Sequence, residues 1–202
     1  MKALVVIDIQ CDFMPGGALA VPLGDEIIPI VNVLLPKYQH IIATQDWHPK
    51  HHKSFASNHL GKKPFDVIII NGIEQVLWPN HCIAGSCGAE FHPDLKTQYF
   101  KVIIRKGTNP EVDSYSSFFD NDYVQSTGLE GCLKELKITE LHFVGLAADY
   151  CVYHSMKDAL KLGFKVKLYE NATRAISEEN YQKQKKELLQ NDDFGILHYT
   201  LD

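Results

Sequence analysis

The sequence has no surplus of positive charge: 20 Lys and Arg stand against 25 Asp and Glu, spread along the chain for a formal net charge of −5. Binding to nucleic acid or an anionic lipid surface needs a basic footprint, and the chain carries none. Long apolar runs are missing too. The one near the N-terminus, Ala3-Leu4-Val5-Val6-Ile7, is too short for a signal peptide or a membrane span. Cysteine is sparse and unpaired. Cys11, Cys82, Cys87, Cys132 and Cys151 are odd in number and irregular in spacing, so neither a disulfide framework nor a C-x-x-C zinc site emerges. Internal repeats, low-complexity tracts and interdomain linkers are absent as well. The expectation is a soluble protein of a reducing cytoplasm whose partner is a small neutral or weakly polar molecule, with no nucleic acid and no membrane involved.

What is there is enough for one substantial core. A chain of 202 residues with 45% hydrophobic content can hide roughly 70% of its unfolded surface, so a single domain over residues 1–202 is expected. Residues 4–9, 40–44, 67–70, 101–104, 141–146 and 165–169 are short β-branched or apolar runs, the pattern of strands buried on both faces. Residues 25–35, 121–136, 149–162 and 178–189 have helical spacing. The alternation predicts an α/β fold: a central parallel sheet with helices on both faces, a Rossmann-type three-layer sandwich. Residues 46–61 and 78–93 break the rhythm with histidines, glycines and prolines, and long loops of this kind are usually functional.

In such a sheet, ligands sit beyond the carboxyl ends of the strands. Asp8, Asp46 with His48, Lys106, and Asp149 with Cys151 all fall there. Cys151 opens a predicted helix, where unpaired N–H groups and the helix dipole favour a thiolate, so it is the candidate nucleophile. Asp8, ending an apolar strand, is the candidate base, although a strand-end Asp also caps loops. Lys106 could pair with Asp8 and favour the thiolate, or be a solvated surface charge.

Asp46-Trp47-His48 places a carboxylate and an imidazole two residues apart, so in extended backbone both project to the same side, as two ligands of one ion must. The third ligand is expected from His81 in the other loop, then from His52, with His51, His59 and His92 behind. A rival zinc set of His81, Cys82, Cys87 and His92 can be drawn from a loose C-x4-C spacing.

Together these fragments resemble the nicotinamidases (pyrazinamidases) of the isochorismatase-like cysteine hydrolases. The resemblance runs from about residue 2 to 176. It rests on Asp8-Ile9-Gln10, Asp12-Phe13 and Pro15-Gly16-Gly17-Ala18-Leu19; on Gln45-Asp46-Trp47-His48-Pro49 and Ser54-Phe55-Ala56; on Leu77-Trp78-Pro79 with His81-Cys82, Gly88-Ala89-Glu90 and His92-Pro93-Asp94; on Lys106-Gly107, Asp113-Ser114-Tyr115-Ser116 and Phe118; and on Gly145-Leu146-Ala147 with Asp149-Tyr150-Cys151-Val152. It implies a catalytic triad of Asp8, Lys106 and Cys151, and one divalent transition metal, zinc with iron or manganese as alternatives, on Asp46, His48 and His81. It also implies a cis bond between Leu146 and Ala147, with the N–H groups of Ala147 and Cys151 as oxyanion hole. Phe13, Trp78 and Tyr115 would enclose a pyridine ring. The implied reaction is hydrolysis of nicotinamide to nicotinate and ammonia through a cysteine thioester, a step of NAD salvage, with pyrazinamide also accepted. The alternatives are a related cysteine amidase for another small amide and a non-catalytic binding protein. Ala148 and Ser86-Cys87 depart from the family pattern, where Thr and Thr-Pro are common.

Overall fold

The computed structural model describes residues 1–200. Strands β1 (Lys2–Ile7), β2 (Ile41–Asp46), β5 (Val102–Lys106), β6 (Glu140–Leu146), β7 (Lys165–Arg174) and β8 (Phe194–Leu197) form one sheet in the order β5-β2-β1-β6-β7-β8, every pair parallel. Period-two alternation along β1 serves both layers. Ala3, Val5 and Ile7 enter one core, and Leu4 and Val6 enter the other. Helices α2 (Leu129–Glu135), α3 (Tyr153–Lys161) and α4 (Glu178–Leu188) cover the first face. Helix α1 (Ile27–Leu34) covers the second with Ile27, Ile28, Val31 and Leu34, helped by loop residues such as Phe13, Val21 and Trp78.

Two expectations fail. Residues 67–70 form a strand, β3 (Val67–Ile70), but it pairs antiparallel with an unanticipated β4 (Ile73–Val76) in a separate hairpin. Val67 and Ile69 are exposed, so an apolar run alone did not distinguish a hairpin from a buried strand. The helix expected over 121–136 starts only at Leu129. The chain before it turns through Tyr123 and Gly128, both at positive φ, and joins Phe119 to Ser126 by an isolated bridge. Strand β8 also escaped the sequence reading, and β7 runs five residues further than expected.

The chain moves outward from β1 to β2 and β5, then returns to the other side of β1 at β6. That reversal opens a crevice at the carboxyl ends of β1 and β6, where an open α/β sheet takes its ligand. Asp8 follows β1, and Cys151 follows β6 within a π-helical turn, Ala148–Val152.

Candidate active site

Lys106 Nζ lies at the centre of the crevice. It is 2.9 Å from Asp8 Oδ2, hydrogen-bonds Asp46 Oδ1, and donates to Cys151 Sγ at 3.3 Å and to the Ser114 carbonyl at 3.1 Å. All four side chains are buried. Strand register explains the meeting of Asp46 and Lys106, which are paired residues of β2 and β5. Asp8 is oriented by Thr44, whose hydroxyl donates to Oδ1 at 2.5 Å and accepts the Asp8 N–H at 3.2 Å. Oδ2 faces the Lys106 ammonium, and a carboxylate oxygen of Asp8 lies within 4.8 Å of Cys151 Sγ.

Burial raises the Asp8 pKa against the pull of Lys106, which lets this carboxyl hold and release a proton. Burial acts on Asp46 in the same sense, but Lys106 and His48 outweigh it and hold that carboxyl well below the usual range. The expected thiolate at Cys151 needs correction. Helix α3 begins at Tyr153, two residues on, and burial pushes the Cys151 thiol well up despite Lys106, so the resting form is the thiol. Asp149 caps the loop after β7 instead: its two oxygens accept the N–H groups of Ile176 and Ser177 at 2.9 and 2.8 Å. The bond between Leu146 and Ala147 is cis, as expected.

The two irregular loops lie alongside one another. His48 and Ile83 form a parallel bridge, as do Phe55 and Trp78, and Asp12 Oδ2 accepts the Cys82 N–H at 2.7 Å. This arrangement sets His81 beside Asp46. Asp46 Oδ2 is 3.6 Å from His48 Nε2 and 3.8 Å from His81 Nε2, and the three residues form a buried group able to hold a metal ion. The fit goes beyond distance. His48 Nδ1 bonds the Gly107 carbonyl at 2.9 Å and His81 Nδ1 bonds the Pro79 carbonyl at 2.8 Å, which leaves both Nε2 atoms as ligands. Trp47 projects to the opposite side and stacks under Arg105, as the alternation requires. Gln10 secures the backbone of Asp46 with both ends of its amide, Nε2 to the carbonyl and Oε1 from the N–H, each at 2.8 Å.

His52 falls in a second group, with His48 and Asp113. Its Nδ1 is 2.7 Å from Ser54 Oγ, and burial lowers its pKa to about 4, leaving it neutral. A third group, Asp8, Asp46 and Cys151, already surrounds the Lys106 ammonium and leaves no room for a second cation. The rival set of His81, Cys82, Cys87 and His92 is not among the metal-competent groups of the described residues; Cys87 and His92 line a surface pocket with Cys11 instead. His51 is exposed, and His59 Nε2 bonds the Lys53 carbonyl at 2.7 Å.

A narrow slot opens above Cys151. Phe13, Trp78 and Tyr115 line it as expected, and Leu19, Tyr150 and Ile176 extend the apolar wall. Trp78 meets Tyr150 edge-on at 4.8 Å and Tyr115 at 6.2 Å between ring centroids. Asp113 also lines the slot, its carboxylate held by Gln75 Nε2 and the Ser114 N–H. Gln10, Thr44, Asp113 and Tyr150 were not singled out from sequence. Gln10, Asp113 and Tyr150 were nonetheless inside quoted motifs, where a polar residue beside a functional one was the available signal.

Comparison with known proteins places the chain in a family. The isochorismatase domain family matches residues 2–193. A nicotinamidase from Acinetobacter baylyi is 49% identical over 174 residues, covering 86% of this chain and 81% of that protein. Among solved structures, a nicotinamidase and pyrazinamidase from Acinetobacter baumanii superposes with a TM-score of 0.93 at 45% identity, over 98% of this chain and 95% of that one. A protein of L. infantum in complex with nicotinate gives 0.86 at 34% identity, over 98% and 92%. A pyrazinamidase of Pyrococcus horikoshii in complex with zinc gives 0.80 at 36% identity, over 98% and 99%. The chain therefore belongs to the isochorismatase domain family, in its nicotinamidase and pyrazinamidase branch.

Proposed function

We propose that this protein is a nicotinamidase, hydrolysing nicotinamide to nicotinate and ammonia, with pyrazinamide as a second substrate. The observation that carries the reading is the convergence of Cys151, Lys106 and Asp8 beneath an aromatic slot that also contains the Asp46, His48 and His81 group. In this reading the whole chain acts as a single domain. Its five free thiols favour a reducing, cytoplasmic setting.

Asp8 Oδ2 takes the Cys151 proton as sulfur bonds to the carboxamide carbon, and the carbonyl electrons move to oxygen. The N–H groups of Ala147 and Cys151 receive that oxyanion. When it collapses, the C–N bond breaks and Asp8 returns the proton to the leaving nitrogen. Water then attacks the thioester while Asp8 accepts its proton, the C–S bond breaks, and Asp8 restores the thiol. Lys106 stabilises negative charge as it moves between Asp8 and sulfur. Phe13 and Trp78 hold the ring and Tyr115 closes the slot. Asp46, His48 and His81 would hold a divalent ion, with zinc favoured by the nitrogen and oxygen donors and by the zinc-bound relative. Such an ion would act as a Lewis acid that orients the pyridine nitrogen. An ammonia-release assay with nicotinamide, pyrazinamide and benzamide tests the proposal. Nicotinamide should exceed benzamide by at least tenfold in kcat/KM, and equal values would remove the role given to the ring nitrogen.

A further inference from the structure

Cys11 and Cys87 belong to different loops, in the short turns Cys11–Phe13 and Cys87–Ala89, yet both line one open surface pocket of about 420 Å³ that shares no residue with the slot. Their backbones are tied through a single residue. The Cys11 N–H donates to the Glu90 carbonyl at 2.9 Å, and the Glu90 N–H donates to the Cys87 carbonyl at 3.2 Å. The residues that follow the two cysteines are in contact as well, since a Cβ on Gly88 would sit 2.1 Å from Asp12 Oδ2. Segments packed this closely run about 5 Å apart, which is disulfide range. The thiols also sense one another: burial pushes Cys11 up, and Asp12, Cys87 and Glu90 add to it. The other three are set apart. Cys151 lies in the crevice, Cys132 sits on α2 over the opposite face of the sheet, and Cys82 is fully buried with its Sγ turned to the Gly88 carbonyl.

We propose that Cys11 and Cys87 form an oxidative modification site, closing to a disulfide when a hydroperoxide reaches the pocket and bracing the two loops beside the slot. Cys87 is the exposed member and reacts first. Its sulfur attacks a peroxide oxygen, the O–O bond breaks, and a sulfenic acid and water form. The Cys11 sulfur then displaces that hydroxyl, which leaves as a second water with the Cys11 proton. Sulfur is oxidised, the peroxide is reduced, and a dithiol reductant reverses the bond. Placement gives the bond a consequence. The Cys11 turn carries Phe13 of the slot wall and Asp12, which accepts the Cys82 N–H beside His81. The Cys87 turn carries Ala89, whose carbonyl accepts from the Gln10 amide at 2.8 Å. The disulfide therefore adds a covalent tie where the loops are held by hydrogen bonds alone, and none of this depends on the amidase reading.

Stoichiometric hydrogen peroxide, followed by alkylation of the remaining thiols and peptide mapping without reduction, tests the site. The expected product is a Cys11–Cys87 linked peptide, with the count of free thiols falling from five to three and returning to five with dithiothreitol. The oxidised protein should melt about 5 °C above the reduced one, because a cross-link closing a long loop restricts the unfolded chain. Cys87→Ser, which lies outside the catalytic and metal groups, should keep parent turnover before oxidation and show neither the linked peptide nor the rise in Tm after it. A Cys82–Cys87 bond, a bond between two chains, or Cys87 carried on to the sulfinic acid with Cys11 still free would overturn the pair. A mapped Cys11–Cys87 bond that leaves Tm unmoved would overturn the bracing.

Discussion

Asp8, Lys106 and Cys151 stand at or just beyond the ends of three strands, while His48, His81 and Trp78 hang from two irregular loops that support each other. The strand-end half inherits its geometry from sheet register, with Asp46 opposite Lys106 and β1 beside β6. The loop half depends on a few polar contacts instead, such as Gln10 on the Asp46 backbone and Asp12 on Cys82. A nucleophile and its base tolerate little misplacement, so rigid elements suit them, whereas ligands and ring walls can be set by loops whose backbone is individually secured.

The largest expected effect belongs to the strand-end half. Cys151→Ala should lower kcat by at least about 10⁴-fold while keeping the fold and metal content, and Asp8→Asn should come close to it. Because both groups are proposed to act in the same steps, the double variant should be barely worse than either single one, as measured by ammonia release. Full additivity would separate Asp8 from the proton transfers. Next comes His81→Ala, expected to lose bound metal by elemental analysis and to lower turnover by about 10²-fold with the circular dichroism spectrum unchanged. Retention of both metal and activity would move the third ligand to His52, which is buried and lies 4.5 Å from His48 between ring centroids.

A smaller effect is expected from Gln10→Leu, which leaves the backbone of Asp46 without its buried partners. It should cost about 1–3 kcal/mol in denaturant unfolding and weaken metal affinity by about tenfold. If Gln10→Leu instead slows Cys151 alkylation without touching metal affinity, the two halves are not separately supported. The smallest effect lies outside both halves. His154 has a folded pKa of about 4 against about 6.5 unfolded, so between those values the unfolded chain binds more protons. Its contribution is complete above about pH 6.5 and is lost as pH falls toward 4. His154→Gln should flatten the decline of Tm over that window; an unchanged slope would assign it elsewhere.

The same division governs what could be read from sequence. Five of the six strands in the main sheet were visible as apolar runs, and Asp8, Lys106 and Cys151 followed from the rule that polar groups gather at strand ends. Asp46 and His48 were readable from two-residue alternation, but the choice of His81 over His52 needed the resemblance, because only the pairing of the two loops puts it beside Asp46. Thr44 was hidden because a strand threonine has an ordinary β-branched explanation; its bond to Asp8 depends on parallel pairing of β1 with β2. The resting state of Cys151 was hidden too, since burial from neighbouring elements outweighs its local sequence setting.

Gly107 shows where this construction is most vulnerable to sequence drift. It follows the last residue of β5 at φ +63°, its carbonyl bonds His48, and a Cβ there would sit 2.3 Å from His48 Cε1. It contributes no chemical group to the reaction, yet even alanine would force the imidazole out of line while straining a backbone that favours glycine. The two halves meet at a point with one acceptable residue. A genetic selection for loss of function should therefore recover Gly107 substitutions beside those at Cys151 and Asp8, distinguishable because the purified variants would be short of metal and still carry an intact thiol.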